Sequence, residues 1–232
     1  MLPYVRLLLL PGMDGGARLL TGLCERLPGW IAPEILAYPS DTAATYGELE
    51  ALVRARLASA PGPVALLAES FSGPIAIRVA ADPPSALRAV ILVATFAAFP
   101  RTMSRLAPLV GAWLFLWPPP AAALRRTLLA RDSDPSLVAA AREAIAAVPS
   151  RVLAARAREA LRADVREELA RIALPLCYVA ATRDRLLGGP RVLTRFRPDL
   201  RVERVEGPHL ILEHAPAASA EVVARFLSEV AT

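Results

Sequence analysis

Val64-Ala65-Leu66-Leu67-Ala68-Glu69-Ser70-Phe71-Ser72-Gly73-Pro74-Ile75-Ala76-Ile77 reads as a buried strand that stops at a serine and turns at once into a helix. A serine in that position sits on a tight turn, exposed at the end of a sheet. The residues two before and two after it must be small so that strand and helix can approach. Ala68 and Ser72 meet this demand without being the usual glycines, and Gly73 follows directly. The same order also arises when a serine merely caps a helix, so the reading needs partners for Ser70.

Outward from this segment, short apolar runs alternate with stretches of helical period, the pattern of a parallel sheet covered by helices on both faces. Six runs qualify as strands: 5–10, 31–38, 64–67, 89–94, 176–181 and 201–205, the last an alternating edge candidate. Helical patterns fall at 17–27, 46–58, 71–81, 191–197 and 217–230. Between Phe96 and Ile172 the alternation breaks. That stretch carries only helices, separated by Pro100, Pro108, Pro118 to Pro120, Pro135 and Pro149. Its length implies a lid or subdomain, giving a core of residues 1–96 and 171–232 and a helical lid of 97–170. Within it, Leu109 to Trp117 is too short to span a membrane. It reads as a buried helix, as a lid lining an acyl pocket, or as a membrane-surface contact, and the sequence leaves all three open.

Composition narrows the chemistry. The chain has 232 residues, 55% of them hydrophobic and 21% charged, which fits one compact domain with an insertion and excludes a disordered chain. It contains no Lys, Asn or Gln, so all 27 basic residues are arginines. Schiff-base catalysis, a phosphate-loop lysine and a side-chain amide in an oxyanion hole are all excluded. The net charge of +5 does not imply a nucleic-acid partner, because the arginines are spread and interleaved with acids. The stretch from Ala154 to Arg171, with Arg156 among its basic residues, reads as a solvated helix face. Cys24 and Cys177 lack metal-ligand spacing and read as buried thiols in a reducing compartment. The first apolar run is too short for a signal peptide, so a cytoplasmic protein is expected.

A serine nucleophile needs a base, and the chain has two histidines. His209 follows the last strand, in a loop at the carboxyl end of the sheet, where open α/β sheets place their sites. His214 lies at the start of the final helix and reads as a surface or capping residue. The acid is expected on another strand end, between serine and histidine in chain order. Asp184, in the loop leaving the 176–181 strand, fits. Its rivals are a solvated turn role beside Arg183 or Arg185, and Asp199, which falls at the wrong end of the sheet. Backbone amides must form any oxyanion hole: that of Phe71, after the nucleophile, and that of Met13, in the glycine-rich turn Leu10-Pro11-Gly12-Met13-Asp14-Gly15-Gly16. That turn lacks the spacing of a dinucleotide-binding loop.

Together these segments resemble the α/β-hydrolase family, from the first strand to the last helix. The turn after the first strand resembles the family's oxyanion turn, with Pro11 where a histidine is usual. Ala68 to Gly73 resembles its nucleophile elbow, Thr182 to Leu186 its acid loop and Gly207-Pro208-His209 its histidine loop. The resemblance implies a small cytoplasmic hydrolase with a helical lid, whose sheet starts at the family's third strand and lacks the first hairpin. The expected chemistry is cleavage of a carboxylic ester or thioester through an acyl-enzyme, with no metal and no cofactor. An acyltransferase using the same three residues and a silent binding protein of this fold are the alternatives. The substrate is expected to be a small apolar ester, with Trp113 and Phe115 lining a lid pocket. Neither nucleic acid nor stable membrane insertion is expected, and the oligomeric state stays open.

Overall fold

The computed structural model describes residues 4–230. Six strands, β1 (Val5–Leu10), β2 (Ile31–Ile35), β3 (Val64–Glu69), β4 (Leu87–Val93), β5 (Leu176–Ala181) and β6 (Arg201–Val205), form one sheet in the order β2-β1-β3-β4-β5-β6. Every neighbouring pair is parallel. The first half carries α1 (Thr21–Cys24), α2 (Tyr46–Ala58) and α3 (Gly73–Ala81). Between β4 and β5 come α4 (Arg101–Ser104), α5 (Ala121–Thr127), α6 (Pro135–Ala146), α7 (Ser150–Arg162) and α8 (Arg166–Arg171). Helices α9 (Arg191–Thr194), α10 (Ile211–His214) and α11 (Pro216–Val230) complete the chain.

Strand side chains alternate between two cores. Leu8, Leu10, Leu66, Val90, Leu92 and Tyr178 face α2, α3 and α8. Leu7, Leu9, Leu67, Ile91, Cys177 and Val179 face α1, α10 and α11. Because both faces are covered, the strands read as unbroken apolar runs rather than as alternating ones. The order reverses at β1: the chain passes from β1 outward to β2, then back across to β3 on its other side. That switch leaves a crevice at the carboxyl ends of β1 and β3, where Leu10 pairs with Ala68.

Several boundaries differ from the sequence expectation. The 31–38 strand ends at Ile35, and the chain then dives so that Tyr38, its N–H bonded to the Gly15 carbonyl (2.8 Å), is buried beneath the crevice. The 17–27 helix is a 3-10 turn, Arg18–Leu20, running into the four-residue α1. The 191–197 helix stops at Thr194, and the 71–81 helix opens with the 3-10 turn Ser70–Ser72. Prolines punctuate the segment between β4 and β5: Pro100, Pro120 and Pro149 precede α4, α5 and α7, and Pro135 opens α6. A missing N–H costs nothing at a helix start. Leu109 to Trp117 is not a buried helix but two 3-10 turns, Ala107–Leu109 and Ala112–Phe115, since Pro108 and Gly111 interrupt any longer one. Among the described residues, no helix is long and apolar enough to cross a membrane.

Candidate active site

Strand β3 delivers Ser70 on a backbone turn with φ of 48°, a left-handed conformation that non-glycine residues adopt only where the surroundings enforce it. The enforcing contacts are visible. Thr95 donates its hydroxyl hydrogen to the Ser70 carbonyl, and Tyr46 of α2 donates to the Phe71 carbonyl (2.7 Å). Ser72 donates to the Pro11 carbonyl and shares a 2.5 Å hydrogen bond with Tyr38. The serine standing in place of a glycine is therefore fully buried and paired. Gly73 is a true necessity, because a Cβ there would overlap the Thr95 side chain.

Pairing of β5 with β6, Ala181 opposite Val205, sends the loops that follow them out side by side. Arg183 N–H donates to the Gly207 carbonyl (2.8 Å), extending that pairing into the loops. The geometry at the crevice follows. Ser70 Oγ lies 2.8 Å from His209 Nε2, and His209 Nδ1 lies 2.9 Å from Asp184 Oδ2. Asp184 Oδ1 accepts the N–H groups of Leu186 and Leu187, both at 2.9 Å. Burial pushes the Asp184 carboxyl upward, yet the hydrogen bond and charge of His209 and those two N–H groups outweigh it and hold it below its ordinary value. An ionised Asp184 fixes the proton on Nδ1 and leaves Nε2 to accept the Ser70 hydroxyl hydrogen. His209 itself is 1% exposed.

The turn after β1 is closed by a hydrogen bond from Gly15 N–H to the Gly12 carbonyl (3.0 Å). Since a peptide N–H points opposite to the carbonyl of its own plane, the Met13 N–H points out of the turn. The next carbonyls are held by Arg156 of α7, whose guanidinium donates to Met13 (2.9 Å), Asp14 (2.8 Å) and Pro39 (2.8 Å). Arg156 is 1% exposed, so the reading of 154–171 as a wholly solvated face is wrong at this residue. Among the described residues no backbone N–H reaches these three carbonyls, and the guanidinium fork reaches all of them. Gly15, at φ of 70°, leaves room for it: a Cβ there would come 2.6 Å from Arg156 Nη1.

Below the crevice lie carboxyl groups that the sequence reading passed over. Glu69 and Glu213 are buried against each other, and among the described residues no other group donates to Glu69 Oε1 or to either Glu213 oxygen. Burial, then repulsion by Glu213 and Asp14, raises Glu69 well above the usual carboxylate range. Burial likewise raises Glu213 to about 8. The three acids do not form a metal site, and among the described residues no such group of ligands exists. The one signal for Glu69 was an acid ending a fully apolar strand; for Arg156 the local sequence held none.

Other expected site residues lie elsewhere. Trp113 is 66% exposed and folds back over Gly111, and Phe115 packs against Val148, Val152 and Leu153, so neither lines a pocket with Ser70. His214 is half-buried, its Nδ1 3.3 Å from Ser133 Oγ, because α10 tucks it under the chain rather than onto the surface. Cys24 is half-buried rather than buried; burial raises both thiols, Cys177 to about 12. A cavity of about 650 Å³ opens between Phe96, Phe99, Leu186 and Leu187, the last two on the loop that carries Asp184.

A parallel sheet with this strand order, a serine on a left-handed turn after β3, and an acid and a histidine after β5 and β6 defines the α/β-hydrolase fold, and this chain has it. Among solved structures it is similar to a thermophilic esterase from Thermogutta terrifontis, with TM-score 0.85, 18% identity and coverage of 99% of this chain and 92% of that one. It is similar also to the enol-lactonase from Burkholderia xenovorans LB400 (TM-score 0.77, 17% identity, 97% and 91% covered). A further likeness is to a structure from work on carboxylesterases of Nitrososphaera gargenis (TM-score 0.75, 16% identity, 98% and 91% covered). No protein-family model and no curated protein sequence matches the chain.

Proposed function

We propose that the protein is a serine hydrolase that cleaves a carboxylic ester or thioester of a small apolar molecule through an acyl-enzyme. The observation that carries this reading is the unbroken hydrogen-bonded line from Ser70 Oγ through the His209 ring to Asp184. In this mechanism His209 Nε2 takes the Ser70 proton as Oγ attacks the acyl carbon, and Asp184 stabilises the imidazolium. The Met13 and Phe71 amides receive the oxyanion, and His209 then returns the proton to the leaving alcohol or thiol. Water attacks the acyl-enzyme by the same route and frees the acid. The esterase and lactonase neighbours support a substrate of the ester class. Residues 97–170 serve as the lid, braced on the oxyanion turn by Arg156. The free thiols Cys24 and Cys177 support a reducing, cytoplasmic setting.

The test is labelling with a fluorophosphonate, in parallel on the wild type and on Ser70→Ala, followed by peptide mapping. An adduct on the Ser70 peptide, absent from the variant, is the expected result, with kcat on a simple aryl ester lowered by about 10⁴- to 10⁶-fold in Ser70→Ala. Folded wild-type protein that takes no label would overturn the catalytic reading in favour of a binding role.

A further inference from the structure

The segment joining β4 to β5 presents apolar side chains to water that nothing among the described residues covers. Met103, Leu106, Leu109, Trp113, Leu116 and Trp117 are all exposed, Trp117 by 82%. They stand on short turns anchored from below: Ala107 is buried, Phe115 packs with Val152 and Leu153, and Arg158 of α7 donates to the Val110 carbonyl (2.7 Å). Both 3-10 turns, and α4 before them, pack against α7, so one helix carries the whole run. A monomer seldom leaves so many large apolar groups together in water.

The charge around this surface is one-sided. Residues 83–131 contain no Asp or Glu, while Arg101 and Arg105 flank Met103. Arg101 and Arg162 border the cavity that Met103 and Leu186 also line, and its one carboxylate, Asp164, is paired with Arg166. Arg101, Arg105 and Arg162 are exposed and form no salt bridge among the described residues. Isologous pairing of this surface with a second copy would bring a second set of these arginines into the same contact. Tryptophan and arginine beside leucine is instead the composition that seats a protein at the boundary between lipid headgroups and acyl chains.

We propose that the apolar surface of residues 103–117, with Arg101, Arg105 and Arg162 at its rim, docks the protein on an anionic lipid surface. The tryptophans and leucines enter the headgroup layer while the guanidinium groups pair with lipid phosphates. Insertion stays shallow, since the turns are short and Pro118 to Pro120 end them. Docking does not depend on the chemistry of Ser70.

The experiment is co-sedimentation of the full chain with vesicles of phosphatidylcholine alone and of equal parts phosphatidylcholine and phosphatidylglycerol, repeated with brominated acyl chains to quench tryptophan fluorescence. The expected result is binding to the anionic vesicles with quenching, and a loss of roughly tenfold or more in affinity for Trp113→Ser/Trp117→Ser, which keeps every charge. Arg101→Ser/Arg105→Ser weakens binding, whereas Arg88→Ser, at the amino end of β4, and Ser70→Ala bind as the wild type does. Thermal melting verifies that each variant is folded. Undiminished binding of the double tryptophan variant, or binding without quenching, means adsorption by net charge alone and overturns the proposal. A dimer in sedimentation velocity that the tryptophan variant splits, with no vesicle binding, overturns it in favour of a second copy as occupant.

Discussion

Arg156 on α7 donates two hydrogen bonds to the carbonyls of Met13 and Asp14, residues on the turn after the first strand. The segment between β4 and β5 is thereby fastened to the turn that follows β1. Asp14 carries a nearby carboxyl, raised by its own burial although the Gly16 N–H and Arg156 oppose that shift. The guanidinium thus satisfies backbone oxygens first and balances charge second.

Replacing it leaves those half-buried carbonyls without a donor. Arg156→Met, which keeps much of the side-chain volume, is expected to destabilise the fold by about 2–5 kcal/mol and to lower kcat beyond the loss in folded fraction. Urea denaturation and steady-state hydrolysis of an aryl ester measure the two effects. Wild-type kcat in the folded variant would separate the turn from the chemistry.

Asp184→Asn keeps the shape of the loop but allows the ring to turn its tautomer around. A fall of about 10⁴-fold in kcat with little change in KM is expected. The native carboxyl also stabilises the fold with a definite sign: its folded pKa is below the unfolded one, so the contribution is present above the ordinary aspartate range and is lost as pH falls through the depressed value. A kcat within tenfold of wild type would rule out the assigned role.

Glu213 titrates with the opposite sign. Its folded pKa, raised to about 8, exceeds the unfolded value, so stability is greatest below the ordinary glutamate range and declines as pH climbs toward 8. The decline is up to ~1.4 kcal/mol per pH unit for each such proton. Glu213→Gln cannot ionise, so its stability relative to the wild type should rise between pH 5 and pH 8. Denaturation curves at both pH values decide the matter, and a constant difference would show that Glu213 is not held neutral.

At Gly73 a methyl group has nowhere to go, since Thr95 occupies the space and holds the Ser70 carbonyl. Gly73→Ala is expected to cost about 1–3 kcal/mol and to disturb the serine turn. The companion variant Gly73→Ala/Thr95→Ser, which removes a methyl from the crowded side chain while keeping its hydroxyl, should recover part of both losses. Failure of the pair to recover any stability would place the strain elsewhere.

The strands, their parallel sense and the three loops bearing Ser70, Asp184 and His209 were legible in the sequence for a physical reason. Buried parallel strands demand unbroken apolar runs, and tight turns at their ends demand small or polar residues, so both leave local marks. With only two histidines in the chain, composition alone narrows the proposed base to His209 or His214.

The sheet and the residue types at its carboxyl edge are thus encoded locally, because they depend on neighbours along the chain. Packing between distant segments, by contrast, sets which carbonyls Arg156 satisfies, buries Glu69 against Glu213, and leaves Trp113 and Trp117 in water. A helix with arginine every few residues has the same local pattern whether one of them is solvated or buried. What distinguishes the cases is the partner brought from far away in the chain, here the turn at Met13, and the three-dimensional packing alone supplies it.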